Sequence, residues 1–153
     1  MFERQEMGSG AIEALQHKLR QAGNSAAAEH AQRFFKTGPG QYGAGDRFLG
    51  IRVPVLRSMV PACRHLTLSE IFTVLQSPWH EERLLALLLL VDCYKRGNNE
   101  NRTAIFFRYL AHTHCINNWD LVDCSAPHIV GAYLLDKDPS LLQTMAGAAS
   151  VWE

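Results

Sequence analysis

His80-Glu81-Glu82-Arg83-Leu84-Leu85-Ala86-Leu87-Leu88-Leu89-Leu90-Val91 runs from a charged start into eight consecutive apolar residues. Ser77-Pro78 stands before it, an N-cap side chain followed by a first-turn proline. Lys95-Arg96-Gly97 stands after it, basic residues and then a glycine stop. The flanks predict one helix over residues 78–96. Over residues 84–91 that helix is apolar nearly all round, so it is sandwiched between neighbours and not laid on a surface. Eight apolar residues fall far short of the ~20 that a membrane span needs. The stretch therefore points to a water-soluble core built from helices packed on helices.

The same reading extends outward. Ile12, Leu15 and Leu19 lie at helical spacing over residues 11–21, and Gly23 stops that helix. Ser25 is the expected cap of a second helix over residues 26–36. Residues 37–50 hold five of the eleven glycines and form a loop. Val53-Pro54 opens a third helix presenting Val55, Leu56, Met59 and Val60. Further helices are expected over residues 68–76, 101–111, 119–125 (capped by Asn118) and 127–135 (opened by Pro127), with a last one opened by Pro139-Ser140. Val, Ile and Thr nowhere alternate with polar residues over a useful length, so no strand is expected. The fold class is all-α. Successive short helices with a sandwiched member suit an α-solenoid of repeats of ~40–47 residues. No internal repeat is legible, and a globular bundle is the alternative.

Composition agrees. The 153 residues are 47% hydrophobic and 20% charged, ordinary globular usage that excludes disordered, collagenous and disulfide-scaffold classes. Residues 1–9 contain no apolar signal-peptide core and read as a flexible N-terminal tail ahead of a domain over residues 10–153. Cys63, Cys93, Cys115 and Cys124 show no C-x-x-C spacing and read as buried thiols of a cytoplasmic protein. The 15 basic and 15 acidic residues cancel, which by itself argues against a strong nucleic-acid footprint. Their distribution does not cancel. Residues 33–64 hold Arg33, Lys36, Arg47, Arg52, Arg57 and Arg64 against Asp46 alone. Such a segment is either a solvated face or one that meets phosphates, and in the second case Arg33, Lys36, Arg47, Arg52 and Arg57 are expected to share one positive face lying toward Trp119.

Two weaker motifs are set aside. Gly38-Pro39-Gly40-Gln41-Tyr42-Gly43 formally matches G-x-G-x-x-G, but it follows a helix and opens none, so no nucleotide cofactor is expected. His112-Thr113-His114-Cys115 and the pair Cys124 and His128 lack zinc-ligand spacing, so no metal is expected.

Asn117-Asn118-Trp119-Asp120-Leu121-Val122-Asp123 is the stretch richest in chemistry. Trp119 and Asp123 are four apart and share a helix face. Asp120 sits in the first turn, where a carboxylate suits the helix dipole. Asp123 has no such structural excuse. An exposed indole beside a carboxylate would hold a cation by its π-face and its charge. A core Trp beside a solvated Asp is the bland alternative.

Phe48-Leu49-Gly50-Ile51-Arg52-Val53-Pro54-Val55-Leu56-Arg57, His80-Glu81-Glu82-Arg83-Leu84-Leu85-Ala86-Leu87 and, most specifically, Ile116-Asn117-Asn118-Trp119-Asp120-Leu121-Val122-Asp123 resemble motifs of the AlkD-like DNA alkylation repair proteins. The resemblance covers the chain from about residue 10 to its end. It implies a HEAT-like α-solenoid of antiparallel helix pairs whose concave basic surface holds duplex DNA. It implies a DNA glycosylase, a hydrolase that cuts the N-glycosidic bond of cationic N3- and N7-alkylpurines, with no cofactor. Trp119 matches the family tryptophan that packs against the damaged nucleoside. Asp123 matches the carboxylate that stabilises the oxocarbenium charge and orients the attacking water. Arg47, Arg52, Arg57 and Lys36 are the candidates for phosphate contacts, on charge and position. The expected location is cytoplasmic and nucleoid-associated, and no membrane partner or oligomer is indicated.

The family pattern continues past a tryptophan like Trp152 to a helical arginine, whereas this sequence ends at Trp152-Glu153. The last segment is apolar and lacks the polar face of a terminal repeat, so the expectation is a solenoid incomplete at its C-terminus with activity in doubt. A non-catalytic solenoid that binds DNA structure or a protein partner is the alternative reading.

Overall fold

The computed structural model describes the backbone of residues 3–152 and the side chains of residues 10–152, and the described residues are helical with no β-strand. One isolated parallel bridge, between Arg47 and Trp79, is the exception. No helix among the described residues is long and apolar enough to cross a membrane. The chain divides into two compact units, Met1–Leu89 and Leu90–Glu153.

In the first unit, α1 (Glu3–Ala22) begins ahead of the apolar spacing that opens at Ile12. The tail expected over residues 1–9 falls on residues whose side chains lie outside those described. α2 (Ser25–Phe34) is capped by Asn24, not by Ser25. Asn24 is the residue with extended backbone, and its side chain accepts the Ala27 N–H at 2.9 Å. α2 also stops two residues earlier than expected. Lys36 takes the left-handed conformation at φ 52°. The N–H of Lys36 donates to Arg33 and that of Thr37 to Gln32, which closes the helix end in a Schellman turn.

α3 (Val53–Met59) opens with its proline as expected. α4 (Leu68–Leu75) starts with a reciprocal capping box of Thr67 and Glu70 and packs against α1. Leu15, Leu19, Leu56, Ile71, Phe72 and Leu75 form the buried centre of this unit.

α5 (His80–Arg96) begins two residues later than its proline suggests. Trp79 is held in the bridge to Arg47, while Ser77 Oγ accepts the Trp79 N–H. Every residue from Leu84 to Val91 is at most 8% exposed, the burial expected of a helix apolar all round. The division between the units falls inside this helix.

In the second unit, α6 (Asn99–Leu110) is capped by Asn98 and α7 (Trp119–Ala126) by Asn118. Pro127 does not open a new helix. A π-turn (Pro127–Gly131) joins α7 directly to α8 (Ala132–Leu134). Proline cannot donate the N–H that would continue the i to i−4 ladder, and the wider turn absorbs the gap. Ala132 donates its N–H to Pro127, five residues back, as well as to Ile129. α9 (Ser140–Ala146) follows. Ile105, Phe106, Tyr109, Leu121, Ile129 and Val130 form the buried centre of this unit. The four cysteines are free thiols, with Cys63 buried and the other three half-buried.

Candidate active site

The first turn of α7 is fixed from below. Asn118 is fully buried, and its Oδ1 accepts the Trp119 N–H at 2.9 Å. Its backbone is extended, so the chain turns sharply into the helix at Trp119. Trp119 is thereby held at the surface with 39% of its area exposed. At that exposure Trp119 is not a core residue. Asp123 is exposed one turn further along the same helix and pairs with no cation among the described residues. Asp120 is half-buried in the first turn.

Asp123 also faces a cavity of about 280 Å³. Tyr109, Ile116, Val130, Met145 and Trp152 line it, with Asp123 its one carboxylate. Trp119 is not among its walls, so the two residues of the expected pair share a helix but meet different surroundings. Tyr109 is a buried member of that lining. Its hydroxyl lies 2.8 Å from Ser125 Oγ, which donates to the Leu121 carbonyl at 2.6 Å. Burial pushes the Tyr109 phenol up to about 12, against the opposing pull of the Ser125 contact. It is a neutral hydroxyl throughout the physiological range. Neither Tyr109 nor the lining role of Trp152 stands out in the sequence. Tyr109 sits at an ordinary core position of α6, and only the fold brings it to the same cavity as Asp123.

The expected phosphate contacts belong to the first unit. Lys36, Arg47, Arg52 and Arg57 are all exposed, and none pairs with a carboxylate among the described residues. Arg47 lies over the Trp79 ring, its guanidinium carbon 5.5 Å from the centroid. Arg52 occupies the N-cap position of α3, and Arg57 its last turn. Asp46, the lone acid of the segment, is not a solvated counter-charge. It is buried against His80 and Arg83, with His80 Nδ1 2.8 Å away.

The glycine-rich loop folds back on itself in successive turns and opens no helix. Gln41 N–H donates to Gly38, Ala44 N–H to Gln41, and Gly43 N–H to Lys36. Among the described residues no group of three or more His, Cys, Asp or Glu side chains could hold a metal ion.

The sequence model of a family described as DNA alkylation repair enzyme matches residues 15–153. No curated protein and no solved structure matches the chain.

Proposed function

The chain belongs to the DNA alkylation repair enzyme family, and from that membership we propose that it hydrolyses the N-glycosidic bond of cationic N3- and N7-alkylpurines in duplex DNA. The observation that carries this reading is Asp123: an exposed carboxylate with no cation paired to it, one helical turn from an exposed indole.

The chemistry needs little more than that pair. An alkylated purine already carries a positive charge, so its departure requires no strong general acid. As the C1′–N bond breaks, its electron pair neutralises the purine and positive charge grows on the sugar. Asp123 stabilises that charge and orients water toward C1′. The new C1′–O bond forms, and the water proton passes through the carboxylate to solvent. Trp119 packs its π-face on the cationic nucleoside before the bond breaks. Lys36, Arg47, Arg52 and Arg57 contact phosphates. Family membership and the buried stretch of residues 84–91 in α5 also support a HEAT-like α-solenoid of antiparallel helix pairs for the architecture.

Release of free base from methylated duplex DNA tests the reading. Asp123→Asn keeps the shape and removes the charge. Release is expected to fall at least roughly tenfold, on the order of 1.4 kcal/mol of lost transition-state stabilisation. Duplex affinity should hardly change. Unchanged release would remove Asp123 from the mechanism. Binding without release by the wild-type chain would leave a DNA-structure binder, and the absence of salt-dependent binding would leave a protein scaffold.

A further inference from the structure

Four consecutive charged or polar side chains begin α5, and all are buried: His80, Glu81, Glu82 and Arg83. Removing such groups from water is costly unless each finds partners. Their partners lie mostly in the segment between α2 and α3. Glu81 accepts three successive backbone N–H groups, from Leu49 at 2.8 Å, Gly50 at 2.7 Å and Ile51 at 3.2 Å. Asp46 accepts from His80 and Arg83. The His80 N–H donates to the Arg47 carbonyl at 2.8 Å. The His80 ring stacks on Phe48, with centroids 4.5 Å apart. Three adjacent amides can converge on one carboxylate because Gly50 is left-handed, at φ 80°. Successive N–H groups about such a residue make an anion-binding concavity, here filled by the protein's own Glu81.

This is far more fixation than a connection between two helices requires. A buried ionic cluster is also a poor way to gain stability, since an apolar replacement of similar volume is often as good or better. What the cluster does fix is the backbone on either side of two exposed arginines. Arg47 follows Asp46 directly and rests over Trp79, and Arg52 follows Ile51 directly. Resting on the proposal that this chain binds duplex DNA, we propose that Glu81 and Asp46 are positioning residues. They hold residues 46–52 so that Arg47 and Arg52 meet backbone phosphates from a preformed geometry. A preformed loop avoids the ordering cost that a mobile basic loop would meet on binding.

The test reads salt dependence, which a purely structural role leaves alone. Each phosphate contact adds about 0.9 to the slope of log K against log salt on duplex DNA. With an unmodified duplex of about 20 base pairs, Arg47→Ala/Arg52→Ala should lower the slope by roughly one to two and weaken binding about tenfold or more. Glu81→Gln, confirmed folded by circular dichroism, should reproduce most of both changes. Placed in the Arg47→Ala/Arg52→Ala background, it should add almost nothing. If Glu81→Gln fails to fold, Asp46→Asn takes its place in the same cycle. A folded Glu81→Gln protein with wild-type slope and affinity overturns the proposal while the DNA-binding reading stands. If neither variant folds, the cluster serves the fold itself and the proposal is overturned. If the double arginine variant keeps the wild-type slope, these arginines meet no phosphate and the proposal also falls. Failure of the broader reading looks different: the wild-type chain would then show no salt-dependent duplex binding at all.

Discussion

Asp46 keeps its charge in a place that resists charge. Burial pushes its carboxyl up, but the His80 hydrogen bond and the Arg83 guanidinium outweigh burial and hold it below the ordinary value of 3.8. The sign of the linkage follows. Below 3.8 the unfolded chain takes up the proton first, so this group's stabilisation is complete above that pH and is lost as pH falls through the depressed folded value. Urea unfolding between about pH 2 and pH 7 should show this as a steep acid limb. Asp46→Asn should lower stability at neutral pH and flatten that limb; an unchanged limb would assign the acid sensitivity to other carboxylates. In the sequence Asp46 reads only as one acid in a basic segment, because its partners lie 34 and 37 residues away. Glu81 hides for the same reason, its amide partners being 30 to 32 residues distant. One signal was available. A helix apolar all round is buried from its first turn, so acids in that turn must have partners. That Trp119 and Asp123 lie one turn apart on one helix was legible because the relation is local, whereas their different surroundings were not.

At the scale of the element, ends carry most of the departures from sequence. Asn24 and Ser25 are both good caps, and only the backbone decides between them. Pro127 reads as a helix start, yet α7 runs on through a π-turn, since tertiary packing holds Ile129 and Val130 in the core. The closing turn of α2 is the sharper case. A left-handed lysine costs roughly 1–2 kcal/mol relative to its right-handed form, whereas glycine carries no such penalty. Lys36→Gly should therefore raise stability by about 1 kcal/mol, read as a higher urea midpoint with unchanged m-value. The same variant should weaken duplex binding if Lys36 meets a phosphate. A variant no more stable than wild type would mean that the turn is already relaxed.

Over the whole molecule, the all-helical class was legible from one segment, because an apolar run with clean start and stop signals leaves few other ways to bury itself. The division of the chain inside α5 was not, since no composition shift or linker marks it. Leu87 is fully buried near that division. Leu87→Ala should cost roughly 2–5 kcal/mol, a large share of the ~5–15 kcal/mol that holds a typical domain together. Chemical denaturation followed by helix content is the measurement. A loss under about 1 kcal/mol would show that the surroundings collapse into the space left behind.

The π-turn after α7 also sets how this region tolerates changes of length. A regular helix advances about 100° per residue, and the turn at Pro127–Gly131 holds one residue more than that spacing allows. Deleting a single residue there would leave the backbone an ordinary α-helix, a change that the hydrogen-bond ladder accepts. Because the wide turn already takes up that residue, the deletion would leave Trp119 and Asp123 close to their present phase against the helix that follows. A one-residue shortening at this turn would thus leave the carboxylate facing its cavity, whereas the same deletion within α5 would turn buried leucines out of the core.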